Sequence, residues 1–165
     1  MIVVKFGGHA MKDENGNFAK AISAALATGE KVVVVHGGGP QINAALDKAG
    51  ITSDFIGGFR VTTPETFEVV ERVLSNEVGP KVAQTLTQSG VAALAISGRH
   101  SGTIFAHRQQ TLVNGDAVDL GLVGTVARVD SEAIYVLLEK GVVPVISPIA
   151  NDIDSDGGLN VNADI

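Results

Sequence analysis

Lys5 stands near the end of a short apolar run, Ile2-Val3-Val4-Lys5-Phe6, and Gly7-Gly8 follow at once. A second apolar run, Val32-Val33-Val34-Val35, leads into His36-Gly37-Gly38-Gly39-Pro40. In an α/β sheet, ligands collect beyond the carboxyl ends of parallel strands, which is where both turns are expected. Glycine lets the backbone approach a ligand closely, and the amides opening the next helix are unpaired donors whose dipole favours anions. Lys5 adds a mobile positive charge to that rim. An anion site with a lysine over it suits phosphoryl transfer. Gly7-Gly8 alone would serve equally as a tight strand-to-helix connection. Three glycines in a row cost backbone entropy with no packing return, which favours the ligand reading at Gly37-Gly38-Gly39. His36 is read as a hydrogen-bonded strand-end histidine rather than a catalyst.

The elements that must position these residues alternate. Strands are expected at 2–6, 31–35, 92–96 and 142–147, and helices at 15–28, 41–49 and from Ser131 to about 141. Phe18, Ile22 and Leu26 share one helix face at a spacing of four. Residues 51–62 read as a hairpin around Gly57-Gly58. Thr63, Pro64 and Glu65 open a further helix, which Gly79-Pro80 is expected to kink or break before it resumes towards Ser89. Residues 103–129 read as short antiparallel strands with a turn at Asn114-Gly115, and 151–158 as a polar loop. The last residues, 160–165, read as the entry to another helix, so the chain is expected to be a truncated form. The fold class expected is α/β: a mainly parallel sheet with helices on both faces, three layers in all, with inserted β-hairpins.

Composition narrows the function classes. At 165 residues the chain can bury one sizeable core. With 45% hydrophobic and 18% charged residues it is not a disordered sequence. A net charge of −6 argues against nucleic acid or an anionic membrane as the main partner. No apolar run approaches membrane-helix length, and Met1 leads straight into a strand instead of a signal peptide, so a cytoplasmic location is expected. The absence of cysteine removes both a disulfide framework and a thiolate metal site.

Four motifs fail on inspection. His36-Gly37-Gly38-Gly39 imitates an esterase oxyanion hole, but the required G-x-S-x-G elbow is missing, since Ser97 is flanked at two residues by Ala95 and Arg99. Asp152, Asp154, Asp156 and Gly157 imitate an EF-hand opening, yet Ala163 stands where the closing Glu belongs. There is no P-loop. Gly37-x-Gly39 lacks the third glycine of a dinucleotide fingerprint, Ile42 standing in its place.

Five segments occur in an informative order: Lys5-Phe6-Gly7-Gly8, His36-Gly37-Gly38-Gly39-Pro40-Gln41, Gly58-Phe59-Arg60-Val61-Thr62, Asp119-Leu120-Gly121-Leu122-Val123-Gly124 and Asn160-Val161-Asn162-Ala163-Asp164. Together they resemble the amino acid kinase family, and within it the acetylglutamate kinases of arginine biosynthesis. The resemblance covers the whole chain but only the amino-terminal, substrate-binding part of such an enzyme. It implies transfer of the γ-phosphoryl of ATP to the side-chain carboxylate of N-acetyl-L-glutamate, catalysed mostly by positioning and charge neutralisation. It implies that Lys5 stabilises charge on the phosphoryl oxygens. Gly8, Gly38 and Gly39 would offer amides to the phosphoryl group and the attacked carboxylate. Arg60 would grip the substrate's α-carboxylate, and Asn160 the acetamido or α-carboxylate region. Asp164 would orient the catalytic lysines, and Mg²⁺ would arrive with ATP. A cytoplasmic homo-oligomer is implied as well.

Two departures qualify the resemblance. The family's nucleotide-binding lobe, with a further lysine, is not in this chain, so residues 1–165 are expected to form a single N-acetylglutamate-binding lobe that is inactive alone. Residues 97–102 differ from the family's usual loop. Arginine-inhibited members carry an added amino-terminal helix, whereas Met1 here abuts the first strand, and feedback inhibition is not expected. Arg60 read without the family could be an exposed hairpin arginine, and Asp164 a helix cap. The competing functions are a kinase of another small carboxylate, such as carrier-linked aminoadipate, and a non-catalytic acylamino-acid-binding or assembly module.

Overall fold

A computed structural model describes residues 1–7, 15–112 and 114–165. In chain order the elements are β1 (Ile2–Phe6), α1 (Asn17–Ala27), β2 (Val32–His36), α2 (Gly39–Ala49), β3 (Phe55–Ile56), β4 (Phe59–Arg60), α3 (Pro64–Arg72), a π-helical stretch (Val73–Val78), α4 (Gly79–Gln88), β5 (Ala93–Ser97), β6 (Ile104–Arg108), β7 (Val123–Val129), α5 (Glu132–Glu139), β8 (Val143–Ser147), β9 (Ile149–Asp152) and β10 (Gly158–Val161). Among the described residues no helix is long and apolar enough to cross a membrane.

The main sheet is parallel, in the order β1-β2-β8-β5. Its central strands are β-branched on both faces, as strands covered from two sides must be. Val32, Val34, Val143 and Val145 pack beneath α1, α2, α3 and α4 in the largest core cluster. Val33 and Ile146, pointing the other way, meet Leu138 of α5. Helices therefore cover both faces, and the three-layer α/β class expected from the sequence is the one observed. Phe18 of α1 stacks on Phe6 of β1 at 3.7 Å between ring centres. The Thr63 side chain caps α3, accepting from the Thr66 amide at 3.1 Å.

Three local expectations need correction. Gly79-Pro80 does not break the helix. The π-helical stretch immediately before it keeps the chain helical through to Gln88, because a wider turn accommodates the missing amide and the ring of Pro80. Residues 151–158 are not all loop: β9 extends to Asp152 and β10 begins at Gly158, forming an antiparallel hairpin. Residues 160–165 are not all helix entry. Asn160 and Val161 complete β10, and a turn follows in which the Asn162 carbonyl accepts from the Ile165 amide. Strands β6, β7, β9 and β10 close into a small barrel around Ala106, Ala150, Leu159 and Val161. The Asn114-Gly115 turn is present between β6 and β7, with Gly115 at φ 90°.

Candidate functional site

Parallel pairing puts Phe6 opposite His36, so the two glycine turns leave the sheet side by side. The Gly37 amide donates to the Phe6 carbonyl at 3.0 Å, which fixes one turn against the other. Beyond these strand ends lies a cavity of about 330 Å³ bordered by Lys5, Gly38, Gly39, Arg60, Asn160 and Asp164. That volume suits a small metabolite. Six residues singled out from the sequence thus share one wall-to-wall space; the seventh, Gly8, lies outside the described residues.

Helix α2 begins at Gly39, two residues earlier than the sequence pattern indicates, with Pro40 in its first turn. The amides of Gly38 and Gly39 consequently stand at the positive end of an 11-residue helix, where no intrahelical acceptor exists. Gly38 leaves room for Leu74 of the π-helical stretch: a Cβ there would come within 2.7 Å of a terminal methyl of that side chain. His36 is fully buried behind the turn, and its Nδ1–H donates to the Gly37 carbonyl at 2.9 Å. Burial lowers its pKa, the Gly37 contact opposing this only partly, and its Nε2 has no partner among the described residues. This is the structural role expected of His36.

Lys5 reaches over Gly7, whose missing side chain leaves room: a Cβ there would meet Lys5 Cε at 3.1 Å. Its Nζ lies 2.6 Å from Asp164 Oδ1, both side chains about half exposed to solvent. Asp164 lies three residues beyond the end of β10, so the barrel hairpin delivers this carboxylate to the exit of β1. Asp164 stands in the turn after β10, its amide donating to Asn162 Oδ1 at 3.0 Å.

Arg60 is buried, only 8% exposed, so the exposed-hairpin reading does not hold. Nη1 donates to Ser53 Oγ at 3.2 Å and Nη2 to Asn43 Oδ1 at 2.5 Å. The guanidinium also lies 4.5 Å above the centre of the Phe55 ring. Burial pushes its pKa down, and among the described residues no carboxylate pairs with it. A buried cation with only neutral partners beside a cavity calls for an anion. Asn160, in β10, borders the same cavity and donates from Nδ2 to Thr62 Oγ1 at 3.3 Å.

Sequence reasoning overlooked Asn43, Ser53 and Thr62, which hold Arg60 and Asn160 in place. Asn43 is one polar residue among several on α2, and nothing in its spacing marks it. Thr62 stood inside the quoted arginine segment and was the findable one. The unusual 97–102 loop acts as a strut: Arg99 Nη1 bonds both carboxylate oxygens of Glu71, at 3.0 and 3.1 Å, and the Arg99 carbonyl accepts from Asn151. It ties α3 to β9 away from the cavity.

Comparison with known proteins settles the family, since the sequence profile of the amino acid kinase family matches residues 1–165. The chain belongs to the amino acid kinase family. Among family members, it is 45% identical to an acetylglutamate kinase of Kineococcus radiotolerans over 99% of this chain and 57% of that protein. It is 47% identical to one from Nocardioides sp., over 99% of this chain and 53% of that protein. The chain therefore spans about half the length of the curated relatives it matches. Of solved structures, smu.665 from Streptococcus mutans superposes with a TM-score of 0.83 at 28% identity, covering 98% of this chain and 63% of that one. An N-acetylglutamate synthase from Neisseria gonorrhoeae, solved with coenzyme A and N-acetyl-glutamate, gives 0.75 at 17% identity over 98% and 36% of the two chains, which speaks to fold alone.

Proposed function

We propose that the chain is the acylamino-acid lobe of an ATP-dependent acetylglutamate kinase. The observation that carries this reading is the buried Arg60, without a carboxylate partner among the described residues, facing the same cavity as Lys5 and the glycine turn. Such a cavity suits a dicarboxylate held at one end by a planar bidentate cation and presented at the other to a phosphoryl donor. The similarity to acetylglutamate kinases at 45–47% identity supports N-acetyl-L-glutamate as that dicarboxylate.

In the proposed reaction the substrate's side-chain carboxylate attacks the γ-phosphorus of ATP, forming an acyl phosphate while ADP leaves with the electrons of the broken bond. A carboxylate nucleophile has no proton to lose, so no general base is required. Lys5 neutralises charge growing on the transferring oxygens, and Asp164 holds Lys5 in place. Gly38 and Gly39, with Gly8, supply amides. Arg60 binds the α-carboxylate and Asn160 orients the acylated end. Mg²⁺ accompanies ATP. The adenine seat and a further lysine belong to a second lobe outside these residues, and the enzyme works in the cytoplasm as a homo-oligomer in arginine biosynthesis.

The test is a calorimetric titration of the chain with N-acetyl-L-glutamate, followed by a hydroxamate assay for acyl phosphate with Mg-ATP. Binding without turnover is expected. No binding refutes the site. Turnover on the order of 1–100 s⁻¹, ordinary for a kinase, refutes the assignment of the nucleotide seat to a second lobe.

A further inference from the structure

Thr62 is fully buried and touches both arms of the site, although its side chain does not border the cavity. Its backbone is clamped on both sides: the amide donates to the Leu120 carbonyl at 3.0 Å, and its carbonyl accepts from the Leu122 amide at 2.7 Å. The clamp is tight because Gly121, at φ 68°, passes so close that a Cβ there would sit 2.3 Å from the Thr62 carbonyl oxygen. The same strand continues into the pairing that holds β10, since the Leu122 carbonyl accepts from the Asn160 amide at 2.9 Å. Thr62 is thus fixed in the frame shared by the Arg60 hairpin and the Asn160 strand.

The hydroxyl of Thr62 has a single proton, which it donates to the Arg60 carbonyl at 2.8 Å. Towards Asn160 it can therefore only accept, and the Asn160 atom facing it at 3.3 Å must be the amide nitrogen. That fixes the side-chain amide: nitrogen towards Thr62, carbonyl oxygen on the opposite branch. An amide oriented by chance would offer a ligand either a donor or an acceptor. Nδ2 keeps one further proton, but Oδ1 is the branch turned away from Thr62, and as an acceptor it suits an N–H of the substrate.

We propose that Thr62 is a positioning residue that orients the Asn160 amide so that its oxygen receives the N–H of an N-acylated amino acid while Arg60 takes the carboxylate. The proposal rests on the reading of the cavity as an acylamino-acid site. It deepens that reading by assigning Asn160 to the acylamide end.

The test uses Thr62→Val, which keeps shape and removes the hydroxyl, beside Thr62→Ser, which restores it, in wild-type and Asn160→Ala backgrounds. Thr62→Val is expected to weaken N-acetyl-L-glutamate binding by about tenfold, the worth of one buried hydrogen bond. Thr62→Ser should return it to within about threefold of wild type. In the Asn160→Ala background Thr62→Val should cost nothing further, a non-additivity that simple loss of packing does not produce. Unchanged binding by Thr62→Val, an equal loss in both backgrounds, or failure of serine to restore binding overturns the proposal. Should Thr62→Val not fold, the wild-type chain still decides. Its Asn160 side-chain amide protons should show nuclear Overhauser contacts to Thr62, and their absence overturns the assignment. A wild-type chain that binds no N-acetyl-L-glutamate refutes the site itself, whereas a binding wild type with an indifferent Thr62→Val refutes only the role of Thr62.

Discussion

Replacing Arg60 by lysine separates the charge of the site from its geometry. Arg60 as a residue is 8% exposed, so its interaction with a ligand carboxylate is only partly screened by solvent. Two of its donors are committed to Ser53 and Asn43, at 3.2 and 2.5 Å, and Phe55 stacks on its plane. These contacts hold the fork in one orientation, and the other N–H groups have no partner among the described residues and suit a bidentate carboxylate. Lysine keeps the charge but offers a point donor on a shorter reach. One charge-assisted hydrogen bond is worth about 1.5–3 kcal/mol, so the dissociation constant for N-acetyl-L-glutamate should rise about 10- to 150-fold. Arg60→Met, which also deletes the charge, should cost more. Titration calorimetry on the wild type and both variants measures this, with thermal midpoints confirming that each is folded. Asn43 and Ser53 border a second open cavity, so water can replace their lost bonds and the fold should survive. A folded Arg60→Lys that binds within about threefold of wild type would refute the bidentate role. Equal losses for lysine and methionine would show that planarity, rather than charge, carries all of the interaction.

Other consequences are open to measurement. Lys5→Ala in the intact kinase should lower kcat about 10²- to 10³-fold with little change in KM, because its interaction grows with transferred charge; steady-state ADP release distinguishes this from a raised KM alone. Gly121→Ala should cost at least about 2 kcal/mol, since a Cβ would lie 2.3 Å from the Thr62 carbonyl oxygen and φ is 68°; an unchanged urea midpoint would contradict the observed close approach. His36 has a folded-state pKa below 6.5, so the unfolded chain binds its proton first as pH falls. Its contribution to stability is therefore complete above pH 6.5 and is lost progressively as pH drops towards the depressed folded value. Thermal midpoints from pH 8 to pH 5 should show this slope in the wild type and a shallower one in His36→Asn.

The sheet and most of the site were legible because their signals are local. β-branched runs such as Val32-Val33-Val34-Val35, bounded by glycine turns, read as strands buried on two faces, and a glycine turn after such a run lies at the carboxyl edge by topology. What was not legible depends on pairing between distant segments. Asn160 reads as part of a helix entry, and its pairing with Val123 and Ile149 reveals a strand instead. Gly79-Pro80 reads as a break because the preceding π-helical stretch is invisible to a 3.6-residue period. Arg60 was recognised by resemblance, but its burial follows from α2 and the 53–55 segment enclosing it, which hairpin periodicity does not report.

Burial divides the labour of the site. The chain carries a net charge of −6, yet among the described residues two cations border the cavity against one carboxylate, Asp164, which Lys5 already engages. Arg60 is buried and immobilised by neutral partners, so it can meet a ground-state carboxylate without rearrangement and is suited to binding. Lys5 is half exposed and held by an ion pair to a half-exposed partner, so leaving Asp164 for a more highly charged phosphoryl oxygen is inexpensive. It is suited to charge that appears only in the transition state. On the proposed reading the two cations are therefore not interchangeable anchors. The buried one selects the substrate, and the solvated one waits at the glycine turn for the charge that the reaction creates.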